Sequence, residues 1–273
     1  MATRTPHQTA VTPGARSLPG VLHHHHHHGL PDGWQAIVAS TCAVWPLLTA
    51  DEQATLAEAA DWLLRHKHWE ASGGFALTEE ITVTIAAQAA LLVLGLDVGE
   101  YREVRAIVVY PTAMQSTGVR AGPVAGTVTD DVLPVLGEAH DRRGPVLIAW
   151  DEARRDAATL GTATNVVCHE LAHKLDMLDG TIDGTPPLGA RVPLQRWIDV
   201  CTEAYDALRA GAHRPPLRPY GATNVGEFFA VATECFVDAP RALRAHEPAL
   251  YDVLRAYYAQ DPAARLDRAL PSA

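Results

Sequence analysis

From Trp34 onward, apolar residues recur mostly at three- and four-residue intervals, the spacing of one face of an α-helix. Thr49-Ala50-Asp51-Glu52 reads as a capping box opening a helix to about His66, with Leu56, Ala59, Ala60 and Leu63 on its buried side. A short extended piece near Trp69 to Phe75 precedes a second helix, about Glu79 to Leu94. Its strongly apolar sequence places it deep in the core, and Gly95 is the expected stop. Val104 to Tyr110 and Pro145 to Trp150 are brief Val- and Ile-rich runs that suit strands of a small sheet, and Gly118, Gly122, Pro123 and Gly126 between them mark hairpins. Next comes a helix started by Thr162 or Thr164 and stopped by Gly180, then a loop from Thr181 to Val192. A helix from about Leu194 to Ala210 carries Trp197, Val200, Cys201 and Leu208 at helical spacing, and Pro215 to Pro219 breaks the pattern. Two further helices, about Val225 to Val237 and Pro240 to Ala259, complete the series. Helices interrupted by a few strands, without a regular β-α-β rhythm, predict an α+β protein, mostly helical with a small sheet.

Composition narrows this picture. The chain has 273 residues, 48% hydrophobic and 20% charged, enough to bury a core in one unit. Its first 33 residues, rich in Thr, Pro, Gly and Ala, are set aside as a disordered tail, leaving residues 34–273 as the folded domain. The tail holds six consecutive histidines, His23 to His28, which have the length of a purification tag. The alternative is a native metal-scavenging tract. A net charge of -10 with no basic stripe argues against nucleic-acid or anionic-membrane partners, because phosphate binding needs clustered Lys and Arg. Cys42, Cys168, Cys201 and Cys235 form no C-x-x-C pair and read as reduced core residues. The longest apolar run, Ile81 to Leu96, is interrupted by Thr82, Thr84 and Gln88, and residues 1 to 22 lack a signal-peptide core, so a cytoplasmic protein is expected.

The chemistry concentrates at His169-Glu170-Leu171-Ala172-His173. Residues four apart lie on one helical face, so His169 and His173 can offer both imidazoles to one ion. Glu170, one position further round, can reach a water held by that ion without ligating it. Val166, Val167, Leu171, Ala172 and Leu175 make the surroundings apolar and dry. A catalytic zinc takes three protein ligands and leaves the fourth position to water. Lys174 to Asp179 supplies neither the Gly nor the His that a metzincin needs, so the third ligand comes from elsewhere. Glu227 and Glu234, seven residues apart on one helix, share a face, so one can ligate while the other orients an imidazole. With Asn224 as N-cap, Glu227 also stands where a capping-box glutamate belongs. Asp176 shares the face of the two histidines, where it accepts either from an imidazole N–H or from Lys174, or else lies at the surface.

His169-Glu170-Leu171-Ala172-His173-Lys174-Leu175-Asp176, Tyr220-Gly221-Ala222-Thr223 and Glu227-Phe228-Phe229-Ala230-Val231 together closely resemble the Mlc titration factor A family of zinc peptidases. Pro145 to Trp150 and Tyr257 to Pro262 extend the resemblance over most of the chain. That family is similar around its metal to the catalytic domain of anthrax lethal factor. The resemblance implies a zincin-like, gluzincin-type metallopeptidase with one zinc ion, Glu227 as third ligand and Glu234 in a supporting role. It places the Tyr220 phenol near the substrate carbonyl oxygen. It also implies aminopeptidase-like cleavage of peptide substrates, with Glu170 as general base. The family's namesake sequesters a transcriptional repressor, so repressor binding is the alternative function. Asn224-Val225 departs from the family pattern, where an acidic residue and Pro are expected, and this affects the helix cap more than the coordination.

Overall fold

The computed structural model describes residues 23–25, 29–72, 74–112, 120–121, 128–129 and 143–269. Its sheet is small and mainly parallel. Strands β1 (His23–His25), β2 (His68–Ala71) and β3 (Ala106–Tyr110) lie side by side, with β6 (Val146–Ala149) on the far side of β3. The short pair β4 (Arg120–Ala121) and β5 (Val128–Thr129) stands apart. β2, β3 and β6 run parallel, with Trp69 opposite Ile107 and Ile107 opposite Val146, and β1 joins antiparallel with His25 opposite Trp69. Parallel strands are covered on both faces and so read as unbroken apolar runs, which is why Ile107, Val108 and Val109 are all buried. β1 lies within the segment expected to be a tail, and Leu30 donates its amide to Asp61 Oδ1 at 2.9 Å. The remainder of that tail before residue 29 lies outside the described residues. So do the expected turn residues Gly118, Gly122, Pro123 and Gly126, although β4 and β5 pair antiparallel between them.

Helices wrap this sheet. The described helices are α1 (Trp34–Thr41), α2 (Ala50–His66), α3 (Glu79–Leu92), α4 (Trp150–Ala158), α5 (Val166–Asp176), α6 (Leu194–Arg209), α7 (Val225–Asp238), α8 (Pro240–His246), α9 (Pro248–Tyr258) and α10 (Pro262–Ala269). The capping box of α2 forms as the sequence predicts: Glu52 N–H donates to Thr49 Oγ1 at 3.2 Å and Thr49 N–H to Glu52 Oε2 at 2.9 Å. Every residue of α3 from Ile81 to Leu92 is buried, and each large aliphatic side chain among them contributes roughly 1.5–3 kcal/mol. Its buried polar residues donate inside the core, although Gln88 Oε1 accepts no hydrogen bond among the described residues. Thr84 Oγ1 donates to Thr41 Oγ1 at 2.9 Å and Gln88 Nε2 to the Ala153 carbonyl at 3.1 Å, tying α3 to α1 and α4.

The structure corrects the expected boundaries in four places. α3 ends at Leu92, and Gly95 is needed for close approach instead: a Cβ there would lie 2.3 Å from the Tyr258 carbonyl oxygen. α4 follows β6 directly, where no helix is expected. Asn165, not Thr162 or Thr164, caps α5; Thr162 and Thr164 donate their hydroxyls to Asp238 and Asp156. The single helix expected from Pro240 to Ala259 is two, because Pro248 lacks an N–H and forces Glu247 out of helical geometry (φ −131°, ψ 60°), and α10 comes after them. All four cysteines are free thiols, and among the described residues no helix is long and apolar enough to cross a membrane.

Candidate metal centre

α5 lies against α3 and β6 on one side and α7 on the other, and its N-terminus is fixed by three acceptors. Asn165 Oδ1 accepts from Cys168 N–H at 2.9 Å, Asp156 Oδ2 from Val166 N–H at 2.9 Å, and Glu234 Oε2 from Asn165 N–H at 2.8 Å. Three of the four orphan donors of the first helical turn are thereby satisfied, and the turn that follows carries His169 in a set position.

His169, His173 and Glu227 come together at one point. The two Nε2 atoms are 3.3 Å apart, and Glu227 Oε2 lies 3.1 Å from His169 Nε2 and 3.5 Å from His173 Nε2. Ligand atoms about 2.0–2.1 Å from a tetrahedral zinc ion are about 3.3 Å from each other, so this triangle has the dimensions of a zinc ligand set. His169 Nδ1 faces Glu234 Oε1 at 2.8 Å, which puts the proton of a neutral ring on Nδ1 and turns the Nε2 lone pair toward the triangle. Glu227 Oε2 is buried facing these imidazole nitrogens, and the Tyr220 hydroxyl also bonds to the Glu227 carboxylate. The donor set fits a divalent cation.

The sequence leaves Glu227 between cap and ligand, and geometry separates the two. Asn224 Oδ1 caps α7 through the Glu227 backbone N–H at 2.9 Å, while the Glu227 carboxylate faces the imidazoles. Burial acts to raise its pKa, but the bonds to His169 and His173 outweigh burial and hold the carboxyl well below the usual range. For His169, burial disfavours the charge, yet Glu227 and Glu234 raise its pKa to about 10. Glu170 is buried beside the triangle, and that burial raises its pKa. Tyr220 sits in a short turn, Pro219–Ala222, its ring 6.1 Å from that of His169; burial, then the Glu227 charge, push its pKa up.

Glu234 collects three donors: His169 Nδ1, Asn165 N–H and Arg218 Nη2. Asp176 is brought to neither imidazole. It is fully buried and accepts the Gly184 N–H at 3.0 Å, pinning the loop after α5. Sequence reasoning passes over Arg218, Asp156 and Asn165. The signal for Arg218 was its place two residues before Tyr220 in the Pro-rich stretch; Asn165 was a better cap type at the helix start than either threonine.

Residues 21–259 match the sequence model of the glucose-regulated metallo-peptidase M90 family. The chain belongs to that family. Among relatives, the Synechocystis protein slr2042 is 35% identical over 236 residues, covering 85% of this chain and 86% of that protein. Mlc titration factor A of Pectobacterium atrosepticum is 30% identical over 239 residues, covering 85% and 88%. The protein of that name from Yersinia pestis is 30% identical over 237 residues, covering 81% and 82%. Membership implies a divalent metal and supports a metallopeptidase-like or regulatory role, and His169, His173 and Glu227 are grouped closely enough to hold one ion.

Proposed function

We propose that this chain is a zinc-dependent peptidase that removes residues from the amino end of peptides, with Glu170 as general base. The observation that carries this reading is the ligand triangle with edges of 3.1, 3.3 and 3.5 Å, next to a buried acid one residue along the same helix. Bound there, zinc would supply a Lewis acid that polarises the substrate carbonyl and brings the pKa of a water to about 7. Glu170 takes the proton from the attacking water. The water oxygen bonds to the carbonyl carbon, the C–N bond breaks, and Glu170 returns the proton to the departing amine nitrogen. Burial raises the pKa of Glu170, which makes its carboxylate a stronger proton acceptor. Tyr220 stays protonated at neutral pH, because its pKa is raised further, and its O–H is the donor for the carbonyl oxygen as negative charge builds there. Glu234 keeps the His169 ring oriented throughout.

Glu170→Gln tests this directly. The variant keeps the three ligand atoms, so it should bind one zinc per chain while losing about 10²–10⁴-fold in kcat on a peptide substrate. Undiminished hydrolysis would remove Glu170 as the base. A second reading is favoured by the name of the Pectobacterium and Yersinia relatives: a regulatory protein that binds and titrates the Mlc repressor. The same variant separates the two, since repressor binding measured by calorimetry should survive a change confined to the buried base.

A further inference from the structure

Beside the triad the chain forms a cleft of about 260 Å³, lined by Glu152 and Arg155 of α4, Val166, His169 and Glu170 of α5, and Tyr220. It is smaller than the roughly 300–1,000 Å³ of pockets that enclose drug-sized ligands, which suits one terminal residue better than a long peptide. The acids around it differ in how far they are already satisfied. Asp156 accepts from Val166 N–H and from Thr164 Oγ1, and Glu234 has its three donors. Glu152, half-buried in the first turn of α4, accepts no hydrogen bond among the described residues, and its cationic neighbour Arg155 attracts it through space without forming an ion pair. The nearby Arg155 guanidinium lies 3.6 Å from Asp156 instead. Nor is Glu152 used in a capping box, because no side-chain hydrogen bond caps the start of α4. Burial, with Asp151 next, raises its pKa, a penalty that a neighbouring cation relieves.

We propose that Glu152 receives the α-ammonium group of the substrate and so selects the free amino end of a peptide. This rests on the peptidase reading above. A half-buried carboxylate that accepts no hydrogen bond among the described residues, in the same cleft as His169 and Glu170, is complementary to a cationic N–H donor, and such charge-assisted bonds are about twice as strong as neutral ones. Glu152 thereby acts as a specificity residue: it holds the amine of the first residue while the carbonyl of that residue lies at the triad. An acetylated or otherwise blocked terminus forfeits the contact and brings an uncharged group against an anion.

The test uses the zinc-loaded full-length protein and measures binding, so it needs no turnover. Leucine hydroxamate and N-acetyl-leucine hydroxamate both present a metal-binding group and differ in the ammonium. Calorimetry should show the free-amine form bound roughly tenfold or more tightly by the unaltered protein. Glu152→Gln should bring that ratio close to one with the acetylated form bound as before, and Glu152→Asp should keep most of the preference. A ratio of one in the unaltered protein, a ratio unchanged in the Gln variant, or an equal loss for both ligands would overturn the proposal. A Glu152-dependent ratio in a protein that hydrolyses no peptide would withdraw the peptidase reading and leave the ammonium site standing.

Discussion

Glu227, Glu234 and Asp176 are all buried acids around α5, and their partners separate their roles. Glu227 meets two imidazoles, Glu234 meets one imidazole with a guanidinium and an amide, and Asp176 meets the backbone amides of Gly184 and Thr185. Asp176 is therefore the acid whose charge is least compensated, and burial raises its pKa to about 6. The unfolded carboxyl titrates near 3.9, so the folded state favours the protonated form. Its contribution to stability is full below about pH 3.9 and is lost as pH rises through about 6. Asp176→Asn keeps an acceptor for Gly184 without the charge. Relative to the parent, the variant should gain on the order of 2 kcal/mol between pH 4 and pH 7 and then level off, as read from urea unfolding at a series of pH values. A constant difference across that range would mean that Asp176 does not titrate there. At this scale the sequence makes His169, Glu170 and His173 legible, because their spacing alone places them on one face. It misplaces Asp176, because position on that face does not say which neighbour occupies the far side.

Helix α5 owes its position to what grips its first turn. Asn165 supplies the cap, while Asp156 of α4 and Glu234 of α7 hold the Val166 and Asn165 amides. Glu234 thus links the helix start to the orientation of His169, so disturbance of the cap should reach the metal. Asn165→Ala is expected to cost about 1 kcal/mol of stability and also to weaken zinc binding. Thr49→Ala, at the cap of the remote α2, should cost a similar amount and leave zinc affinity unchanged. Denaturant midpoints together with competitive zinc titrations check both variants. Equal zinc affinity in all three proteins would confine the Asn165 cap to local stability. Element positions were legible wherever amphipathic spacing or a capping box marked them, as in α2, α6 and α7. α4 was not, because its first turn is continuous in sequence with the apolar run of β6, and Asp156 and Ala157 are buried by tertiary contacts that periodicity does not report.

In the whole molecule, the core and the metal centre depend on each other in one direction. α3 and the three parallel strands bury their side chains without help from a metal, whereas the triad needs α5 and α7 already packed together. Removing zinc with a chelator should therefore lower the thermal midpoint while leaving the far-ultraviolet circular dichroism of the folded protein unchanged. Zinc restored at about a thousandfold over its Kd should return about 4 kcal/mol. Loss of helical signal on chelation at 25 °C would instead make the metal part of the fold. The sequence by itself determined the helical character of the chain and put the two imidazoles and the Glu170 carboxylate together, because these follow from spacing within one element, which local geometry sets. Only the tertiary structure decided that Glu227 faces the imidazoles while Glu234 stands behind His169, that Asp176 serves a loop, and that Glu152 accepts no hydrogen bond in the cleft among the described residues. Those are relations between elements far apart in the chain, and the packing angle of one helix on another settles them, not the order of residues along either.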